Sequence, residues 1–200
     1  MELRGKEIFL QRKLNLLDKL VLDFVQILEK HARYVIISGY ISILLGRARA
    51  TEDVDLFIEK IDVTRFIKLY EDLNAGGFWC LNAESSEEVY SYLREGLAIR
   101  FARKNTSIPN FEMKFPKRKV DEETFEDTLT AVLPDGCIII SSLERQIAFK
   151  RYFLKAEKDV EDALHIEEIF RDQLDYDKIN KLKKIIEENE RREGNQFEGE

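Results

Sequence analysis

The sequence predicts an α/β fold, with a mixed β-sheet flanked by helices over residues 1–140, a helical region over 141–193 and a flexible tail over 194–200. Two patterns predict it. Short apolar runs rich in β-branched residues alternate with helix-period segments as far as about residue 140, as expected where strands and helices share a core. From Ser141, apolar residues recur only at three- and four-residue spacing, to about Ile186. Of the 200 residues, 44% are hydrophobic and 10% aromatic, enough to bury one domain core and to exclude wholesale disorder.

Each element follows from local signals. Leu10, Leu14, Leu17, Val21, Phe24 and Leu28 keep helical spacing, so a long amphipathic helix is expected over residues 7–32. Tyr34 to Ile37 reads as a short buried strand broken by Ser38-Gly39, and Tyr40 to Leu45 as a short helix stopped by Gly46. Val54 to Ile58 is the next strand, and Asp62 caps a helix through Leu73 that ends at Gly76-Gly77. Residues 78–82 and 97–103 read as strands, with a helix from Ser86 to Arg94 between them. Phe111 to Phe115 is a strand bounded by Pro109 and Pro116, which suits an exposed or terminal place in a sheet. Thr128 to Leu133 and Cys137 to Ile140 flank a Pro134-Asp135-Gly136 turn as a hairpin. Ser141 with Glu144 forms a capping-box pattern that opens the helical region.

Charge narrows the function. The formal net charge of −7 argues against a generic nucleic-acid coat. Residues 94–119 run the other way, with a local charge of +6, a strip suited to a specific anion such as a triphosphate or a nucleic-acid end. Cys80 and Cys137 have no CxxC or Cys/His ligand spacing, so neither a disulfide framework nor a zinc site is expected, and a reducing cytoplasm is the expected location. No apolar run is long enough for a membrane span, and the start lacks the apolar stretch of a signal peptide. No GxxxxGK[ST], HExxH, GxSxG or GxGxxG pattern occurs.

The chemistry concentrates between Tyr34 and Lys60. Asp53 and Asp55 flank Val54 within an apolar strand, so both carboxylates project from one face, roughly 6–7 Å apart along the chain. Such a pair repels itself unless a cation intervenes. Mg²⁺ (or Mn²⁺) suits it, because a hard ion binds through one or two carboxylates plus substrate phosphates. Ser38 and Gly39 end the preceding strand, where glycine permits close backbone approach and free N–H groups attract phosphate.

Ser38-Gly39 followed by Gly46-x-x-Arg49-x-Thr51-x-Asp53-Val54-Asp55-Leu56 resembles the signature of the polymerase-β-type nucleotidyltransferase superfamily. The likeness extends to its minimal and AbiEii-type toxin members, whose pattern is a Gly-Gly or Gly-Ser turn, a later Gly-x-x-Arg-x-Thr/Ser and Asp-hydrophobic-Asp. Here the turn reads Ser-Gly, with Tyr40 after it. The resemblance implies a third carboxylate on a neighbouring strand, for which Glu112 is the candidate; the other reading of Glu112 is a surface acid paired with Lys114. It also implies that Lys150, in Gln146 to Arg151, reaches the nucleotide phosphates, and that Asp159 and Asp162 brace the site. Without the resemblance, Lys158, Asp159 and Asp162 read as ordinary pairs on a wet helix face. Arg49 either meets phosphate bidentately or pairs with an acid of the sheet.

The expectation is therefore a Mg²⁺-dependent nucleotidyltransferase, with Asp53, Asp55 and Glu112 as catalytic metal ligands and Ser38, Gly39, Arg49 and Lys150 binding the nucleotide. An NMP would pass from an NTP to a hydroxyl of a protein, a tRNA or a small molecule, and the toxin likeness implies a toxin or antitoxin partner. The alternative is a catalytically inactive descendant of the same fold that binds a nucleotide or a partner protein.

Overall fold

The computed structural model describes residues 1–197, with the side chains of residues 1–191. In chain order come β1 (Glu2–Arg4), β2 (Glu7–Phe9), α1 (Leu16–Leu28), β3 (Tyr34–Ile36), α2 (Gly39–Leu44), β4 (Asp53–Ile58), α3 (Val63–Ala75) and β5 (Phe78–Cys80). These are followed by α4 (Ser86–Arg94), β6 (Ile99–Arg103), β7 (Asn110–Lys114), α5 (Lys119–Glu122), β8 (Thr128–Leu133), β9 (Gly136–Ser141), α6 (Leu143–Phe149), α7 (Glu157–Phe170) and α8 (Tyr176–Phe197). Among the described residues the strands form one nine-stranded mixed sheet, ordered β1-β2-β8-β9-β3-β4-β7-β6-β5. Residues 194–197 of the expected tail continue α8, and 198–200 lie outside the described residues.

Strand alternation assigns the faces. Val54, Leu56 and Ile58 of β4 and Phe111 and Met113 of β7 are buried in the core. There Phe24 of α1 stacks on Phe111 with ring centres 3.9 Å apart and meets Phe78 edge-on at 5.1 Å. Asp53 and Asp55 leave the opposite face. The parallel register of β4 and β7 sets Asp55 beside Glu112 and Val54 beside Phe111. Leu143, Ile147, Ala163, Ile166 and Phe170 join the same core, so the C-terminal helices pack onto the sheet domain.

Three expectations are corrected. Residues 7–32 are not one helix: β2 takes Glu7–Phe9, pairing in parallel with β8. The helix starts only at Leu16, after Asn15 and Asp18 close a reciprocal capping box. The spacing of Leu10 and Leu14 mimics a helix, but sheet pairing in this segment outweighs it. Second, β7 is interior, between β4 and β6, because Pro109 and Pro116 stand just outside the paired residues and remove no ladder donor. Third, the cap of α6 is Ser142, whose Oγ accepts from the Arg145 N–H at 3.3 Å, while Ser141 accepts from Gln146.

Candidate active site

The acidic pair is fixed from both sides. The Ile37 N–H donates to the Asp55 carbonyl at 2.9 Å, tying the end of β3 to β4. That brings Ser38 beside Asp55, whose carboxylate its hydroxyl helps to favour in the ionised form. Ser38 has φ 65° and ψ −138°, a backbone region that non-glycine residues rarely enter and that persists where the surroundings enforce it. Thr51 Oγ1 donates to the Asp53 carbonyl at 2.9 Å and orders the loop before the pair. Burial raises the pKa of Asp55 from 3.8 to about 6; the Lys114 charge opposes this, and the neighbouring Asp53 and Glu112 carboxylates add to it.

Tyr40 does not obstruct the turn. Its ring is 0% exposed and points into the core, where its hydroxyl donates to the buried Asp18 at 3.0 Å. Gly39 is buried under the Arg49 guanidinium: a Cβ there would lie 3.2 Å from Nη2. The group that approaches the glycine backbone is thus Arg49.

Glu112 lies on the face of Asp53 and Asp55, as strand parity requires, but its oxygens are engaged. Arg100, directly opposite on β6, reaches Oε2 at 2.8 Å through Nη2 and 3.2 Å through Nε. Lys114 Nζ stands 3.6 Å from Oε1. Among the described residues no three His, Cys, Asp or Glu side chains are gathered to hold one metal ion. The expected ligand set of Asp53, Asp55 and Glu112 is therefore present in register but not assembled as a cage, because two basic side chains hold Glu112. Asp53 and Asp55 alone suit a Mg²⁺ or Mn²⁺ ion, since they offer hard oxygens from one strand face.

Asp55 and Ser38 open onto a cavity of about 530 Å³ between the sheet face and the C-terminal helices. Lys114, Lys117 and Arg118 line it as cations, and Phe115, Phe149 and Phe153 form an aromatic wall. The Arg118 guanidinium lies 4.7 Å from the Phe153 ring centre. An anion with an attached flat ring suits such a wall.

Lys150 also borders this cavity, on a π-helical turn over residues 150–154, yet only 1% of it is exposed. Its Nζ donates to Asp162 at 2.8 Å and to Asp159 at 3.3 Å. Arg49 donates to Asp162 at 2.5 Å, and Arg47 also pairs with Asp162 and with Glu161. Burial disfavours ionised Asp162, but Lys150, Arg47 and Arg49 outweigh it and hold its pKa below the usual range. Asp159 and Asp162 are thus buried braces and not a wet helix face. Arg49 and Lys150, expected on phosphate, are partnered by acids of α7, and Arg47 and Arg49 tie the loop before β4 to the helical region.

From the sequence, Arg100 is only one of the basic strip, and its pairing with Glu112, the role of Arg47 and the aromatic wall are not seen. Arg100 could have been found from strand pairing, since it sits opposite Glu112, but a single sequence does not give the register. The basic run over residues 94–119 is divided in the fold. Arg100 and Lys114 pair with Glu112, Arg103 with Asp23 and Arg118 with Asp121, while Lys117 turns over Gly96 at the cavity.

No helix among the described residues is long and apolar enough to cross a membrane. No family model and no curated protein matches the sequence. Among solved structures, the chain is similar to the crystal structure of an antigenic nucleotidyltransferase-like protein from Paracoccidioides brasiliensis. The two share 16% identity with a TM-score of 0.48, over 76% of this chain and 75% of that one.

Proposed function

We propose that this protein is a divalent-cation-dependent nucleotidyltransferase that moves an NMP from an NTP to a hydroxyl acceptor. One observation carries the reading: Asp55, on the strand face it shares with Asp53, borders together with Ser38 a cavity lined with cations and aromatic rings. Asp53 and Asp55 would hold Mg²⁺ or Mn²⁺, which when bound offsets charge on the triphosphate. Lys114, Lys117 and Arg118 face the space for the phosphates, and Phe115, Phe149 and Phe153 that for a base. Ser38 keeps Asp55 oriented. In the reaction the acceptor oxygen bonds to the α-phosphorus, the bond from that phosphorus to the α,β-bridging oxygen breaks, the acceptor proton is released and pyrophosphate leaves. The protein contributes chiefly position and fixed charge.

The acceptor is a protein, a tRNA or a small molecule. The pairing within the basic run favours an anion enclosed in the cavity over a long RNA track. Incubation with a cell extract and NTPs labelled at the α- or γ-phosphate tests the reading. Label should pass to an acceptor from the α-position only. Transfer from the γ-position would make the protein a kinase. The second reading is a nucleotide-binding protein without transferase activity, including a toxin or antitoxin component. The Arg100–Glu112 pair favours it, and it is the outcome if NTP binds and no label moves.

A further inference from the structure

We propose that Arg100 is a built-in counter-cation for Glu112, which restricts the site to a single divalent ion on Asp53 and Asp55. The inference rests on the nucleotidyltransferase reading and concerns how many ions that site accepts.

Three carboxylates in adjacent register on β4 and β7 would, alone, form a deep negative well able to draw in two divalent ions. Two basic side chains stand among them. Arg100 covers Oε2 of Glu112 through two nitrogens, and Lys114 faces Oε1, so both oxygens are met by positive charge. Three negative charges and two positive ones leave a net charge of −1 beside the cavity.

Arg100 is well suited to be permanent. A guanidinium stays protonated across the working pH range, and its planar fork fixes its direction. Its backbone N–H is anchored to Asn82 Oδ1 at 2.8 Å, so the side chain starts from a fixed point. A second divalent ion bridging Glu112 to the acidic pair would have to displace this guanidinium and then sit close to it. Arg100 is 52% exposed at its side chain, so replacing it leaves the core intact. Arg100 is thus a positioning residue acting through Glu112, with no contact of its own to the proposed substrate.

Counting bound manganese tests this. The full chain is dialysed to equilibrium against Mn²⁺ and each α,β-methylene nucleoside triphosphate in turn, and metal retained per chain is measured. Wild type should retain one Mn²⁺, Arg100→Gln two, Arg100→Lys one, and the double variant Arg100→Gln with Glu112→Gln one again. Two ions on the wild type, or one on Arg100→Gln, would overturn the inference and leave the nucleotidyltransferase reading standing. No retained metal with any of the four nucleotides would overturn that reading and the inference with it.

Discussion

Asp55→Asn in the metal-free protein isolates the electrostatics of the site. The folded state holds the Asp55 pKa at about 6 against an ordinary 3.8, chiefly through burial. Because the folded value is raised, ionised Asp55 favours the unfolded chain. Its stabilising contribution is complete below about pH 4 and is lost as pH rises through about 6. The gap corresponds to about 3 kcal/mol, and the opening of Asp55 onto the cavity reduces this to about 2 kcal/mol. Asparagine keeps the shape and removes the charge. In chelator-containing buffer, urea unfolding should therefore find Asp55→Asn more stable than wild type by about 2 kcal/mol at pH 8, with the two converging near pH 4. A variant that is less stable at pH 8, or a difference that ignores pH, would refute the claim that the fold stores negative charge at this position.

Two further outcomes follow from the geometry. Asp162→Ala leaves Lys150, Arg47 and Arg49 without their shared acid in a buried setting and should lower stability by about 3–5 kcal/mol in chemical unfolding; a loss below about 1 kcal/mol would show that the cluster does not hold the loop to α7. At Ser38, glycine relieves the left-handed backbone whereas alanine keeps it, so Ser38→Gly should be the more stable of the two by about 1 kcal/mol. Equal melting of the two would mean that the turn is not strained.

Much of this was legible in the sequence, and the misses share a cause. Alternation in β4 and β7 put Asp53, Asp55 and Glu112 on one face because a two-residue period is local. Asp62 with Gly76-Gly77 marked α3, and Pro134-Asp135-Gly136 marked the β8–β9 hairpin, for the same reason. Pairing partners are not local. The parallel partner of β2 lies more than a hundred residues away in β8, so the segment around Leu10 was read by its helical period. The place of Arg100 opposite Glu112 depends on the register of β6 with β7, and the convergence of Arg47, Arg49 and Lys150 on Asp162 depends on how α7 docks. Residue types announced the acidic pair, whereas only tertiary packing shows that Arg49 and Lys150 are already partnered.

The central claim is that Asp53 and Asp55 bind a divalent ion together with a nucleoside triphosphate. Thermal unfolding of the wild type and of the Asp53→Asn/Asp55→Asn double variant, each against its own baseline, tests it most directly. With Mg²⁺ and an NTP at about a hundred times its Kd, the wild type should gain about 2.7 kcal/mol, a rise of roughly 5–10 °C in Tm. The double variant should show none, nor should the wild type with NTP in EDTA. An equal rise in the double variant, or one that persists in EDTA, would contradict the account.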